Sequence, residues 1–593
     1  GRAAIVRRGM SQTAPQDKGG AKAGRGRLLW GLGALAAVNT GVVLAAAQPG
    51  EGFGDDPLER IALRASAVRR GARTFAALAV VVLDYKWSLR GFEDRQSEEY
   101  KQALSDCHRR GAKLLLQLCN LQAGVYIKAG QHVSSLRPLI PVEYTSVLST
   151  LHDDAPQSTL ADVRRVFREE MGMELDEAFV DFEVVPLGCA SLAQVHKAKL
   201  RPAQGEALGE AVAVKVQHSW MIQHTVSDLA AIKWVAKAIE MSFEGISVMW
   251  MLPLFRVNLN KELDFRIELQ NAQRCAANFA GDSSVYVPAF KDGFCSKRVL
   301  TMEYIDGIKV DDKESLLKQG FVPPEVAGIV AKVFGEMVFR HGFIHCDPHP
   351  GNLLVRREPA GRSRSTRSAR ARTQLVVLDH GLYREVDDSI RLAYCNLWEA
   401  MIMQDNALLN RVATDLGVPE FAFLFPLIFT NRSLSSNTRL GETMSKEEKA
   451  RVRKTMPAGF RREGFDIGKV VSFVETIPRD LLFIIRTQNL VRALCSDLGY
   501  LPRQRFRTYA RLAAENGRSA RSDLGGLRKW FRSVRWEARM AFMELLMWVS
   551  STLNITWAKP DIMEDEGPSL VLEAAEDRVP ASSFELADGS MHG

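Results

Sequence analysis

At 593 residues the chain is long enough for two or more domains, or for one large domain with additions. With 46% hydrophobic and 25% charged residues, it is not mostly disordered, collagenous or a polytopic membrane protein. The formal charge of +8 sits in two short segments: residues 1–27 carry seven Lys/Arg against Asp17, and residues 356–373 carry seven Arg against Glu358. The rest is net acidic, so no folded nucleic-acid surface is expected.

Residues 1–27 are basic, rich in Ala and Gly, and nearly without acids, the composition of an organellar transit segment. Leu28 to Ala47 follows as twenty uncharged residues, about the length that spans ~30 Å of hydrocarbon as a helix. The expectation is a single membrane anchor; the alternatives are a cleaved secretory signal and a buried helix. Residues 60–174 read as a helical extension in which Leu114, Leu115, Leu118, Leu121 and Val125 lead into Lys128-Ala129-Gly130-Gln131. A strand-rich block follows. In it Val212, Val214 and Val216 alternate with Ala213, Lys215 and Gln217 in period two. A helix is expected over Lys261 to Phe279, carrying Glu268. Another is expected over Pro324 to Arg340, opened by proline and stopped by Gly342.

Two short apolar runs, Leu353–Val355 and Leu375–Leu378, read as buried strands joined by the Arg/Ser-rich insertion 356–373. From Tyr383 onward the pattern is mostly helical. Ala541 to Trp557 is apolar but holds Glu544, so it reads as an amphipathic helix. Residues 560–593 form an acidic tail with the composition of a disordered end. The order of helices, strands and more helices predicts an α+β protein of two lobes, with boundaries at 175–306 and 307–500 and C-terminal helices over 501–559. The eight cysteines form no CxxC pair, which argues against a zinc ribbon or a thioredoxin-type site.

The chemistry lies in four pieces: Lys215 in V-A-V-K; His345-Cys346-Asp347-Pro348-His349-Pro350-Gly351-Asn352; Asp379-His380-Gly381; and Glu268. Phosphoryl transfer needs positioned phosphates and neutralised charge more than covalent help. Lys215 can hold α/β-phosphates, with Glu268 pairing it. Asn352 and Asp379 are hard oxygen ligands of the kind that take Mg²⁺. Asp347 is placed to orient an acceptor hydroxyl and take its proton. This is the kinase order H-x-D-x-x-x-x-N then D-x-G, with the spacing from Asp347 to Asp379 stretched by the insertion. The cofactors expected are ATP and Mg²⁺, and Glu303, near the lobe boundary, is a further candidate nucleotide contact.

Several motifs lie outside the ordinary kinase set. Lys128-Ala129-Gly130-Gln131 matches K-x-G-Q, Pro186–His196 matches an alanine-rich nucleotide loop, and Glu262-Leu263-Asp264 matches E-x-D. On these the chain resembles the UbiB-type atypical kinases, also called aarF-domain-containing kinases, over about residues 60–500, and most closely the mitochondrial subgroup that reads D-H-G. The resemblance implies a two-lobed protein-kinase-like fold whose K-x-G-Q extension covers the active site. Lys128 would pair with Glu262, Gln131 would line the nucleotide pocket, and Lys128, Gln131, Glu262 and Asp264 would be regulatory. Gly188, Ala190 and Ser191 would bring backbone N–H groups and a hydroxyl to phosphate. Cys189 departs from the family's alanine, which unsettles any carried-over nucleotide preference. The implied role is an ATPase or a kinase of a small or lipid-soluble molecule at a mitochondrial membrane, with a plastid as the alternative and a link to ubiquinone or lipid homeostasis. A nucleotide-sensing scaffold for membrane protein partners, and a phosphotransferase of the aminoglycoside or choline type, are the other readings.

Overall fold

The period-two pattern around Lys215 forms strand β4 (Ala211–Gln217), with Val212, Val214 and Val216 buried on one face. This computed structural model describes residues 57–517 apart from 93, 95–96, 135–139, 153–156, 203–208, 244–247, 250, 359–371 and 431–476. The expected transit segment, the anchor at 28–47, the amphipathic stretch 541–557 and the acidic tail lie outside the described residues.

β4 is central in an antiparallel sheet of order β1 (Phe179–Val180), β3 (Ala193–Leu200), β4, β6 (Val299–Glu303), with β2 (Gly188–Cys189) also pairing β3. Its valines pack against Val163, Val166 and Phe167 of the helix Leu160–Met171, which therefore belongs to the sheet's core. The boundary expected at 175 falls too late, because that helix buries its apolar face on β4. Between β4 and β6 the chain inserts three helices: α7 (Ser219–Ser242), α8 (Met251–Glu262) and α9 (Phe265–Asn278). The helix expected to begin at Lys261 begins instead at Phe265, because the Asp264 carboxylate accepts the Arg266 N–H and caps it there.

Ahead of the sheet, α1 (Pro57–Ser88), α2 (Glu98–Gln122) and α3 (Val125–Ser134) form the helical extension, packed on α7 and α8. Ser97 caps α2 through the Tyr100 N–H, and Glu98 and Glu99 suit its positive end. A Cβ at Gly130 would run into Leu151 Cδ1 and lie 3.1 Å from Cys119 Sγ, so glycine is needed for α3 to seat against its neighbours.

The second lobe surrounds the largest apolar cluster. Helix α11 (Pro323–Glu336) opens on proline, widens into a π turn at Met337–His341, and stops at Gly342 with φ +59°. A four-stranded sheet runs β5 (Val285–Tyr286), β10 (Thr373–Val377), β9 (Leu353–Arg357), β7 (Ile308–Lys309). The ends of the expected insertion, Arg356, Arg357 and Thr373, are strand residues, because they continue the β9–β10 ladder. Tyr383–Glu385 is not helical as expected. It forms β11, paired antiparallel with β8 (Phe343–His345). Helix α16 (Pro502–Asn516) buries Tyr509, Leu512 and Ala513 in the lobe's core, so this lobe does not end at 500 as expected. The fold is thus the expected α+β, two-lobed, kinase-like arrangement.

Candidate active site

Lys215 lies between two carboxylates. Its Nζ is 2.8 and 2.9 Å from the Glu268 oxygens and 3.3 Å from Asp379 Oδ2. These residues come from β4, from α9 one turn past its Asp264 cap, and from the turn after β10. Burial works against the Lys215 charge, but Asp379 and Glu268 outweigh it and raise its pKa. Burial pushes the Glu268 carboxyl up to about 7 against the pull of Lys215. For Asp379, burial is overcome by Lys215, the Gly381 N–H, His345 and Lys128, and the carboxyl falls well below the usual range. The Gly381 N–H donates to Asp379 Oδ1 at 2.8 Å. A Cβ on Gly381 would stand 3.1 Å from that oxygen, so the glycine of D-H-G lets the backbone hold the carboxylate closely.

The Leu378 N–H donates to the Asn352 carbonyl at 2.9 Å, joining the Asp379 turn to the short 3₁₀ turn Pro350–Asn352. Asn352 Nδ2 donates to the Asp347 carbonyl at 3.4 Å, and its Oδ1 is uncommitted among the described residues. Half-buried Asp347 has no hydrogen-bond or ion partner for its carboxylate among the described residues, and so keeps its lone pairs for an incoming proton. Asp379 and Asn352 are two hard oxygen donors, a set that suits Mg²⁺, which completes its shell with water and phosphate oxygens. No cluster of three His, Cys, Asp or Glu side chains is present among the described residues. His349 Nδ1 accepts the Gly351 N–H at 3.2 Å, a turn-forming bond.

His345 and His380 are both fully buried and lie near Tyr383, which stacks on His380. His380 Nε2 lies 3.1 Å from the Val377 carbonyl and Nδ1 lies 2.9 Å from the Tyr383 hydroxyl, so the neutral ring donates to the first and accepts from the second. His345 Nδ1 accepts the Asp347 N–H at 3.1 Å and thereby sets the turn that presents Asp347. Tyr383 gave no sequence signal. It reaches the site because β11 pairs with β8.

The helical extension meets the site through Lys128, whose Nζ is 2.7 Å from Glu262 Oε2. Burial opposes its charge, but Glu262, Asp347 and Asp379 together raise its pKa. Asp264 does not join this pair. It caps α9 and bridges Arg266. Gln131, expected in the nucleotide pocket, donates its amide to the Leu151 carbonyl at 3.0 Å and braces α3.

In the alanine-rich loop, Gly188 and Ala190 are exposed and Ser191 is buried. The Ala190 N–H donates to the Ala193 carbonyl at 2.8 Å, closing the β2–β3 turn. His218 stabilises the turn from behind, its N–H to the Leu192 carbonyl at 2.9 Å and its Nε2 to the Ala190 carbonyl at 3.0 Å. Cys189 Sγ lies 3.8 Å from the same Nε2. This support comes from a histidine that the sequence did not single out. Glu303 bonds the Tyr286 hydroxyl and lies 3.8 Å from Arg356, at the junction of the lobes.

Residues 150–413 match the ABC1 atypical kinase-like domain. The chain is 36% identical over 434 residues to AarF domain-containing protein kinase 1 of Xenopus laevis, covering 73% of this chain and 79% of that one. It is 34% identical over 480 residues to AarF domain-containing kinase 1 of Drosophila melanogaster, covering 79% and 88%. The solved complex of Rv3197 with erythromycin from Mycobacterium tuberculosis is similar at 19% identity with a TM-score of 0.43, covering 70% of this chain and 98% of that one.

Proposed function

The chain belongs to the ABC1/AarF family of atypical kinases, and from that premise we propose that it binds ATP with Mg²⁺ and either hydrolyses the ATP or transfers its γ-phosphoryl group to a small or lipid-soluble molecule. The observation that carries this reading is that Lys215, Glu268 and Asp379, the first and last 164 residues apart, meet in one charged cluster, and that the Leu378–Asn352 and Asn352–Asp347 hydrogen bonds tie the Asp379 turn to the turn carrying Asn352 and Asp347. Lys215 holds the α/β-phosphates and Glu268 fixes the lysine. Asp379 and Asn352 hold the metal, which when bound supplies charge neutralisation of the phosphates. The free carboxylate of Asp347 orients the attacking hydroxyl or water and takes its proton. Gly188, Ala190 and Ser191 line the phosphates, with Glu303 at the far end of the cleft. Lys128, paired with Glu262 above the aspartates, closes the site and keeps a bulky protein acceptor out. Gln131 and Asp264 act on the site through helix placement.

The acid-poor 1–27 and the apolar 28–47 support placement at an organellar membrane, mitochondrial in the first instance and plastid as the alternative. No described helix is long and apolar enough to cross a membrane. The family resemblance alone supports the link to lipid or ubiquinone homeostasis.

Single-turnover ATP consumption by wild type and Asp347→Asn, with and without membrane vesicles, tests the reading. The expected result is a loss of about 10²-fold or more on substitution. Equal turnover in both proteins overturns the role of Asp347. Turnover at background in both, with ATP still bound, favours the nucleotide-sensing scaffold.

A further inference from the structure

Beside the Lys215–Glu268–Asp379 cluster lies a small open cleft between α8, α9, the D-H-G turn and the helix α15 (Arg479–Asp497). Cys346 and Gly381 line it, so it adjoins the residues next to Asp347 and Asp379. Ile267 and Asn271 of α9 face it, whereas Glu268 between them faces Lys215. It is therefore separate from the phosphate-holding side of the site.

The lining has two characters. Asn258 and Lys261 are one helical turn apart on α8 and form one polar wall. Neither side chain has a hydrogen-bond or ion partner among the described residues, although Glu262 beside Lys261 is committed to Lys128. Arg384 gives its Nε to Asp480 at 3.1 Å and lies over the Phe483 ring at 4.9 Å, with its terminal nitrogens uncommitted among the described residues. The Phe483 ring and the Ile267 side chain supply the apolar wall. No acidic side chain lines the cleft. An uncommitted ammonium, a second cation and a free amide facing an apolar wall match a molecule with an anionic head on a short apolar body.

We propose that this cleft binds a small amphipathic anion, a phosphate monoester or carboxylate with a hydroxyl-bearing alkyl or aryl body, with Lys261 and Asn258 on the head group and the hydroxyl free to attack the γ-phosphorus as its proton passes to Asp347 and ADP leaves. The proposal rests on the reading above in one respect: the occupant of a pocket next to Asp347 is the phosphoryl acceptor of that reaction.

Calorimetric titration of the full chain with octyl phosphate, 1-octanol and inorganic phosphate tests the proposal. Wild type is expected to bind octyl phosphate at least tenfold more tightly than either of the others. Lys261→Ala is expected to lose that preference, and Lys261→Arg to keep it. Mg-ATP saturation is expected to leave octyl phosphate binding in place. Equal binding of octyl phosphate and octanol, equal binding of octyl phosphate and phosphate, an unchanged preference in Lys261→Ala, or displacement by ATP each overturns the assignment. A parallel Mg-ATP titration separates the two readings: wild type that ignores ATP sinks the proposed reaction, while the octyl phosphate results still decide the cleft.

Discussion

Lys215 serves two carboxylates, and that sharing sets what a substitution in the cluster does. Glu268 is 4% exposed and satisfied chiefly by the lysine, whereas Asp379 is also held by the Gly381 N–H. In Glu268→Gln a buried cation loses its nearer partner but keeps Asp379. Removing one member of a buried pair typically costs ~3–5 kcal/mol, and the remaining carboxylate puts this variant at the lower end, about 3 kcal/mol. The freed lysine then draws on Asp379 and would compete with the proposed metal for it, so Mg-ATP affinity is expected to fall about tenfold or more. Urea unfolding and a Mg-ATP titration read the two effects. A stability change below about 1 kcal/mol together with unaltered affinity would show that Glu268 does not hold the lysine. These three residues were legible in the sequence because their types, order and flanking strands are all local features. The stacking of Tyr383 on His380 was not, because it follows from the pairing of β11 with β8, a contact between segments with no shared pattern.

Among the elements, a buried ion pair ties the helical extension to α7, in addition to the Lys128–Glu262 pair. Arg70 of α1 grips Asp228 of α7 through Nε at 2.9 Å and Nη2 at 2.6 Å, and Asp228 is 2% exposed. Burial pushes the Asp228 carboxyl up and Arg70 opposes it. The arginine also lies over the Tyr126 ring at 5.7 Å, and its carbonyl accepts the Gln122 amide at 2.7 Å. The clamp thus gathers α1, α2, α3 and α7, two residues ahead of Lys128. Arg70→Ala strands a buried carboxylate and is expected to cost ~3–5 kcal/mol. The pair Arg70→Met with Asp228→Leu removes both charges and is expected to recover most of that loss. A double-mutant cycle by urea unfolding measures it. Additive losses would mean that the two residues do not interact. The sequence showed the extension as helical and marked Lys128, yet it gave no sign of this clamp. Arg70 and Asp228 are 158 residues apart on helices whose charges read as ordinary solvated faces. Asp264 carries the opposite lesson: read as part of a motif, it serves first as the cap that starts α9 and so places Glu268.

Across the whole molecule, every histidine with a resolved shift is moved in the same direction. Burial lowers His380 to about 3, His224 and His341 to about 4, and also lowers His108, His132, His196, His218 and His345. A histidine whose folded pKa lies below the ordinary ~6.5 stays neutral in the fold while the unfolded chain takes up a proton. The histidine contribution to stability is therefore full above about pH 7 and is lost as pH drops through ~6.5, opposed in that window by the raised carboxyl of Glu268. His380, 0% exposed and lowered to about 3, contributes a slope of about 1.4 kcal/mol per pH unit between roughly pH 6 and 5, and buried His345 adds to it in the same direction. The others steepen it to a degree set by their exposure. His380→Phe restores the aromatic ring of the ordinary kinase turn and removes one titrating group. Its slope is expected to be shallower than wild type by about 1.4 kcal/mol per pH unit, whatever the substitution does to stability at pH 7.5. Urea unfolding of both proteins at pH 7.5, 6.0, 5.5 and 5.0 supplies the comparison. Parallel slopes would mean that His380 takes up its proton in the folded protein, and that the ring between Val377 and Tyr383 is not held neutral by its burial.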